Sequence, residues 1–369
     1  MPVDPDTNLC KADEHRENSN FEDALTLYRE AENGYRALGD ASGRLACRLS
    51  KGHCLRLIGR FKQALTEYEA CEDLAEKTED DFALADAIVG RGMSVRALWD
   101  IPESLKQFDR AVELYSNLSD DAGEAYTLWA RGGALRVQGD LKAALESFHN
   151  SLKRYKTLKD PQGTVYSLCG LGGISRVMGR YNDSLKFYTD ANNQLRRSSD
   201  RFGQAYSYCG RANARRMLQQ YTSSLKLFES ARKLYHEIGD KVSYAYTVWG
   251  EGTAFKMLGR TEDALANFRE AEKMFHTTQD ARGRVYTILG RGELLLMEGK
   301  QGRAAKLFQT GLETANEFGL QLEILHSELM IEIWRKEAGE NLQFGKIREK
   351  YKEIGSDLVE EPGLPVNIP

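Results

Sequence analysis

Residues 165–180 read VYSLCGLGGISRVMGR, with glycines at 170, 172 and 173 and an arginine at 176. Glycines at that density can bring backbone amides against a phosphate, and an arginine beside them can pair with it. The chemistry would be nucleotide binding. That fingerprint requires a strand before the glycines and a helix opening on them. Here the flanking apolar residues are spaced three and four apart, so the glycines fall inside a helix, about ten residues after its start. The phosphate-loop reading is set aside. The remaining reactive side chains form no better set. Cysteines 10, 47, 54, 71, 169 and 209 contain no CxxC pair, as expected of reduced thiols in a cytoplasmic protein. Cys169 and Cys209 have no base beside them in sequence and read as small apolar side chains.

The elements that carry these residues emerge from composition and period. The chain has 369 residues, 41% hydrophobic and 29% charged, with 51 Lys+Arg against 55 Asp+Glu and a net charge of −4. A uniformly basic nucleic-acid binder is excluded, although one basic face can hide in such a total. No secretory leader and no membrane-length apolar run is visible. Only seven prolines occur, five of them in the first five or last eight residues, yet there are 33 glycines.

Set in rows of forty, the sequence aligns almost without gaps. Asp40, Asp80, Asp120, Asp160, Asp200, Asp240 and Asp280 form one column, and Gly52, Gly92, Gly132, Gly172, Gly252 and Gly292 another, with Ala212 the departure. Leu25 through Leu265 form a third. Three residues after each leucine comes an aromatic (Tyr28, Tyr68, Phe108, Phe148, Tyr188, Phe228, Phe268), with Phe308 next in phase, and three further on a small residue. Spacings of three and four in both halves of each row predict two helices. The aspartates suit N-caps, and glycines such as Gly139, Gly179 and Gly259 suit left-handed helix ends. No row carries a strand pattern. Such a period denotes a solenoid. The six histidines fall in five different columns, so no converging metal ligands are expected, zinc needing about four at short range. No nucleophile–base–orienter set is suggested either. Neither an enzyme nor a cofactor is expected.

The columns Gly132, Gly139, Ala144, Phe148 and Ser151, repeated down the chain, resemble the small–glycine–alanine–aromatic–alanine signature of tetratricopeptide repeats. The unit is longer than the usual 34 residues, a forty-residue variety similar to kinesin light chains, Pins-type adaptors and Rap-type regulators. The resemblance implies an all-α, right-handed superhelix whose first helices line a concave groove that holds protein partners. Eight units are expected over residues 5–324, then a degenerate capping unit over 325–354 and an extended tail over 355–369.

Projected at 100° per residue, the face of the first helix opposite its packing side carries Tyr126, Trp129, Gly133, Arg136 and Val137. Down the repeats this gives a tyrosine column (Tyr126, Tyr166, Tyr206, Tyr246, Tyr286) and a cation column (Arg16, Arg56, Arg96, Arg136, Arg176, Arg216, Lys256), with Trp129 and Trp249 between them. Taken singly, each arginine complements the end of its helix dipole and each tyrosine packs between units. Taken as columns, they suggest a groove for an extended, partly acidic peptide, centred on units four to six. The candidate partner-binding residues are Arg96, Tyr126, Trp129, Arg136, Tyr166, Arg176, Tyr206, Arg216, Tyr246 and Trp249. Mid-helix glycine costs about 0.5–1 kcal/mol relative to alanine, so the repeated glycines require either close packing or a closely approaching ligand. An alternative is single-stranded RNA or another polyanion, with bases on the tyrosines and phosphates on the arginines; another is a sensor gated by a small ligand. A second arginine column (Arg91, Arg131, Arg211, Arg291) is expected to form ion pairs within each repeat. The tail, SDLVEEPGLPVNIP, is expected to be extended and able to dock as an acidic peptide in its own or a neighbour's groove. Oligomeric state is left open.

Overall fold

At twenty-residue intervals the backbone turns left-handed, at Gly39, Gly59, Glu79, Trp99, Ser119, Gly139, Lys159 and Gly179, and again from Gln219 onward. One such residue closes the last turn of an α-helix and redirects the chain. Gly139 takes φ +96° without the Cβ clash that another residue would meet. Trp99 and Gln219, which replace glycine in the same column, adopt φ of 71° and 60°, so the turn between the helices keeps the geometry that glycine allows freely. At the opposite ends the aspartates cap. Asp40, Asp160, Asp200 and Asp280 each accept the amide of the glycine three residues on, at 3.0, 3.0, 2.7 and 2.8 Å.

The computed structural model describes residues 4–18, 20–341, 343–357 and 362–369. Caps and left-handed ends divide them into paired helices: α1 (Pro5–Glu17) with α2 (Phe21–Leu38), α3 (Ala41–Leu57) with α4 (Phe61–Thr78), α5 (Asp81–Ala97) with α6 (Ile101–Asn117), and α7 (Asp121–Gln138) with α8 (Leu141–Thr157). Then come α9 (Pro161–Val177) with α10 (Tyr181–Leu195), α11 (Arg201–Met217) with α12 (Tyr221–Ile238), α13 (Lys241–Met257) with α14 (Thr261–Thr277), and α15 (Ala281–Met297) with α16 (Gln301–Glu317). A ninth pair, α17 (Gln321–Glu337) and α18 (Phe344–Glu353), follows in the same phase. The chain is an all-α repeat solenoid, without a strand among the described residues. No helix is long and apolar enough to cross a membrane.

The helices group into two compact units, Met1–Ala134 with Lys153–Lys159, and Leu135–Leu152 with Asp160–Pro369. In the second unit, first helices touch first helices of the next repeat: α9 with α11, α11 with α13, α13 with α15 and α15 with α17. Successive second helices make no comparable contact among the described residues. Closer spacing on one side bends a solenoid toward that side, so the first helices form the inner layer.

The recurring glycines are filled from within. Tyr188 lies against two of them: a Cβ on Gly172 would come 2.6 Å from its ring, and one on Gly210, in the next first helix, would overlap it. Phe268 is gripped likewise by Gly252 and Gly290, and Tyr68, in the first unit, by Gly52 and Gly90. Each of these three aromatics is thus wedged between its own first helix and the following one. These aromatics are almost wholly buried, which recovers the helix propensity lost at glycine. Of the two explanations the sequence leaves open for these glycines, close packing accounts for them.

Candidate binding groove

The inner layer of the second unit encloses a cavity of about 160 Å³. Its wall includes Arg136, Arg176, Tyr206, Tyr246 and Trp249, five of the ten candidate residues, and Pro369. It also includes Arg282 and Glu323, which no column marks. Three guanidiniums therefore face one acidic side chain among the described lining residues. In two of the three, Arg136 and Arg176, Nε is buried without a hydrogen bond. Burial and the nearby Arg282 hold the Arg136 guanidinium below its ordinary pKa. Arg282 is better placed, since its Nε donates to Tyr246 Oη at 3.0 Å and its charge lies over the Tyr246 ring. Glu323 accepts from Tyr286 Oη at 2.8 Å, and burial pushes its carboxyl pKa up.

One rung further the cation column is occupied. Arg216 is fully buried, its charge lies 5.4 Å from the Trp249 ring centroid, and burial together with Arg176 brings its pKa down to about 9. Its guanidinium donates to the side-chain oxygen of Asn367 and, at 3.0 Å, to the carbonyl of Ile368. Asn367 Nδ2 returns a bond to the Arg216 carbonyl at 2.8 Å. Lys256, also buried, pairs with Glu293 and donates to the Val366 carbonyl at 2.7 Å, while Glu293 accepts the Val366 amide. Nearer the start of the tail, Ser356 Oγ donates to the Val177 carbonyl at 2.7 Å, and the Asp357 amide to that of Met178 at 3.1 Å. What docks is Val366–Ile368, an apolar and amide-bearing stretch. Of the acidic residues of the expected docking peptide, Asp357 bonds through its main-chain amide, and Glu360 and Glu361 lie outside the described residues.

Residues 203–276, spanning nearly all of α11 to α14, match the family model "Tetratricopeptide repeat". These two repeats are tetratricopeptide repeats. A search of the curated proteins finds no match. Among solved structures, a Rap protein complexed with competence and sporulation factor aligns with TM-score 0.62 at 14% identity, over 95% of this chain and 99% of that one. The Rap conjugation gene regulator of plasmid pLS20, in complex with a Phr peptide, gives 0.62 at 13%, over 99% and 100%. Aspartyl phosphate phosphatase F from Bacillus subtilis gives 0.57 at 10%, over 97% of each chain. At such identities the likeness is one of fold.

Within the repeat array, the other candidate residues tie repeat to repeat. Arg96 donates to the Ala130 carbonyl at 3.2 Å and fills the space beside Gly133, thirty-seven residues on. Arg136 stands in the same relation to Gly173, whose Cβ position is 3.2 Å from Nη1. Lys256 and Glu293 are again thirty-seven apart and meet as an ion pair. The tyrosines reach forward to the next repeat's cap: Tyr166 donates to Asp200 at 3.0 Å and Tyr246 to Asp280 at 2.9 Å. In the first unit, Tyr126 is partly exposed, bonds Met93 Sδ at 3.2 Å and stacks on Trp129 with centroids 5.9 Å apart. The second arginine column meets its expected role only in part: Arg91 reaches Glu103 of its own repeat at 3.7 Å, but the shorter pairs run backward. Arg91, Arg131 and Arg291 pair with Glu72, Asp109 and Glu272 of the preceding repeat, at 3.3, 2.7 and 2.5 Å. A first helix packs against two second helices, and this edge faces the earlier one. Where the column reads Glu251 the polarity reverses, with Arg232 supplying the cation at 2.9 Å.

Proposed function

We propose that the protein is a non-enzymatic adaptor that holds an extended, partly acidic protein segment along its inner layer of first helices. The observation that carries this reading is the excess of cationic side chains at the cavity, where Arg136 and Arg176 have buried Nε donors without acceptors and Glu323 is the single acidic side chain among the described lining residues. Guanidiniums held in a partly desolvated site favour a carboxylate that brings its own acceptors. Tyr206, Tyr246 and Trp249 supply apolar wall beside them. Two structural neighbours were solved with a factor or peptide bound, which agrees with this use of the fold. We place the protein in the cytoplasm, where its free cysteines would stay reduced.

The test is a peptide array of extended 15-residue segments graded in Asp and Glu content, probed with the wild-type chain and with Arg136→Gln/Arg176→Gln. Acidic segments should bind the wild type and lose at least about tenfold in affinity to the variant, the loss of one charge-assisted contact. Equal binding by both chains would refute the assignment. Binding of poly(U) that weakens steeply with salt, and no binding of peptides, would replace it with the polyanion reading. The tyrosine hydroxyls tied to Asp200 and Asp280 argue against that outcome, because they fix the rings between repeats.

A further inference from the structure

The docked segment is held as a peptide ligand is held. Both main-chain groups of Val366 are read at once, its carbonyl by Lys256 and its amide by Glu293. The Asn367 side chain is read in both senses, its oxygen by the Arg216 guanidinium and its amide by the Arg216 carbonyl. The flanking side chains Val366 and Ile368 are buried. Lys256 and Glu293 are themselves 3% and 1% exposed, and a buried ion pair is a poor source of fold stability unless its remaining hydrogen-bond capacity is used. Here the capacity is used by the segment. A pair that grips one residue by its N–H and C=O does not depend on that residue's side chain, so it can receive another extended chain equally well. Specificity then rests on the next residue, where Arg216 offers a donor and an acceptor matched to a carboxamide.

We infer that residues 362–369 are an intramolecular competitor for the groove, and that the segment displacing them carries an asparagine between two apolar side chains. This rests on the adaptor reading and adds its regulation. The competitor occupies the rungs of Arg216 and Lys256, and Pro369 reaches the wall of the arginine-lined cavity. A partner that spans both would place its carboxamide at Arg216 and its acidic part at Arg136 and Arg176. It must first release the resident segment, so the apparent affinity of the full chain is reduced by the fraction of grooves left open.

The probe is a fluorescein-labelled peptide of residues 362–369, titrated by fluorescence polarisation into the full chain and into a chain ending at residue 357. The shortened chain should bind it at least about tenfold more tightly, because a tethered competitor acts at high effective concentration. A peptide with alanine at the position of Asn367 should bind the shortened chain at least about tenfold more weakly. Full chains carrying Asn367→Ala/Val366→Ala should gain affinity for the unaltered peptide, which decides the matter if the shortened chain does not fold. Equal binding to the full and opened chains, or no binding to any opened chain, overturns the inference. The acidic array peptides separate the two readings. If they bind the full chain and opening it brings no gain, the competitor falls and the adaptor stands. If they bind neither form while the 362–369 peptide binds the opened chain, the adaptor reading falls and the clamp stands.

Discussion

Replacing Gly210 by alanine should destabilise this protein, although the same change in an ordinary helix stabilises. Gly210 lies inside α11, where alanine would gain about 0.5–1 kcal/mol in helix propensity. Its Cβ, however, would overlap the ring of Tyr188. The ring cannot retreat, because on its other side a Cβ on Gly172 would already be 2.6 Å away, and Tyr188 is only 3% exposed. Forcing a methyl group into a closed contact costs about 1–3 kcal/mol, so the propensity gain is outweighed and a net loss of about 1–2 kcal/mol is expected. Urea unfolding followed by circular dichroism at 222 nm measures it. Gly302→Ala in α16 is the control, since nothing lies within 4 Å of its Cβ position, and it should stabilise by up to about 1 kcal/mol. In the background of Tyr188→Leu, which frees the space, Gly210→Ala should become neutral or stabilising. A Gly210→Ala chain as stable as the Gly302→Ala chain would refute the wedge.

Two further expectations concern buried charge. His326 is 1% exposed, its Nδ1 lies 2.5 Å from Tyr351 Oη, and burial with the charge of Arg176 pushes its pKa down to about 3. The unfolded chain protonates this group near its ordinary 6.5, so the contribution to stability is whole above that pH and is lost as pH falls from 6.5 toward 3. At about 1.4 kcal/mol per pH unit, roughly 2 kcal/mol should disappear between pH 6.5 and 5, and His326→Phe should flatten that slope; parallel pH profiles for the two chains would contradict it. His53, brought to about 3 by burial and Arg56, adds a second slope of the same sign. Lys256→Met leaves Glu293 buried without its cation and should cost about 3–5 kcal/mol, whereas Lys256→Met/Glu293→Leu should recover most of it; a double variant no better than the single one would show that the pair stabilises the fold outright.

The fold was legible because each of its causes repeats. Aspartate caps, left-handed residues and wedged aromatics recur at fixed intervals, and recurrence separates them from chance. The lining of the second unit's cavity was legible only where a column persisted. Arg136, Arg176, Tyr206, Tyr246 and Trp249 meet at one cavity and all belong to columns. Arg282 was missed because its column, which includes Ser42, Phe82, Ala122, Gln162 and Phe202, has no pattern to read. Nor does a glycine column say what fills it, since the filling ring belongs to another helix. One signal went unused. Lysine replaces arginine at 256 and glutamate replaces the glycine of 133 and 173 at 293, two departures thirty-seven residues apart. That is the separation at which Arg96 meets Gly133, so the paired break marks the clamp.

The C-terminal segment also counts. It bonds to Val177 and Met178 at one place, to Arg216 a repeat later, and to Lys256 and Glu293 beyond that. Because each repeat presents its aromatic to the next in the same way, one forty-residue block could be excised and the array would rejoin along matching surfaces. The segment would not follow. Its reach is set by its own length, and its anchors would be one step too close. It thus acts as a gauge of array length, accepting only a solenoid with the right number of rungs between its footholds.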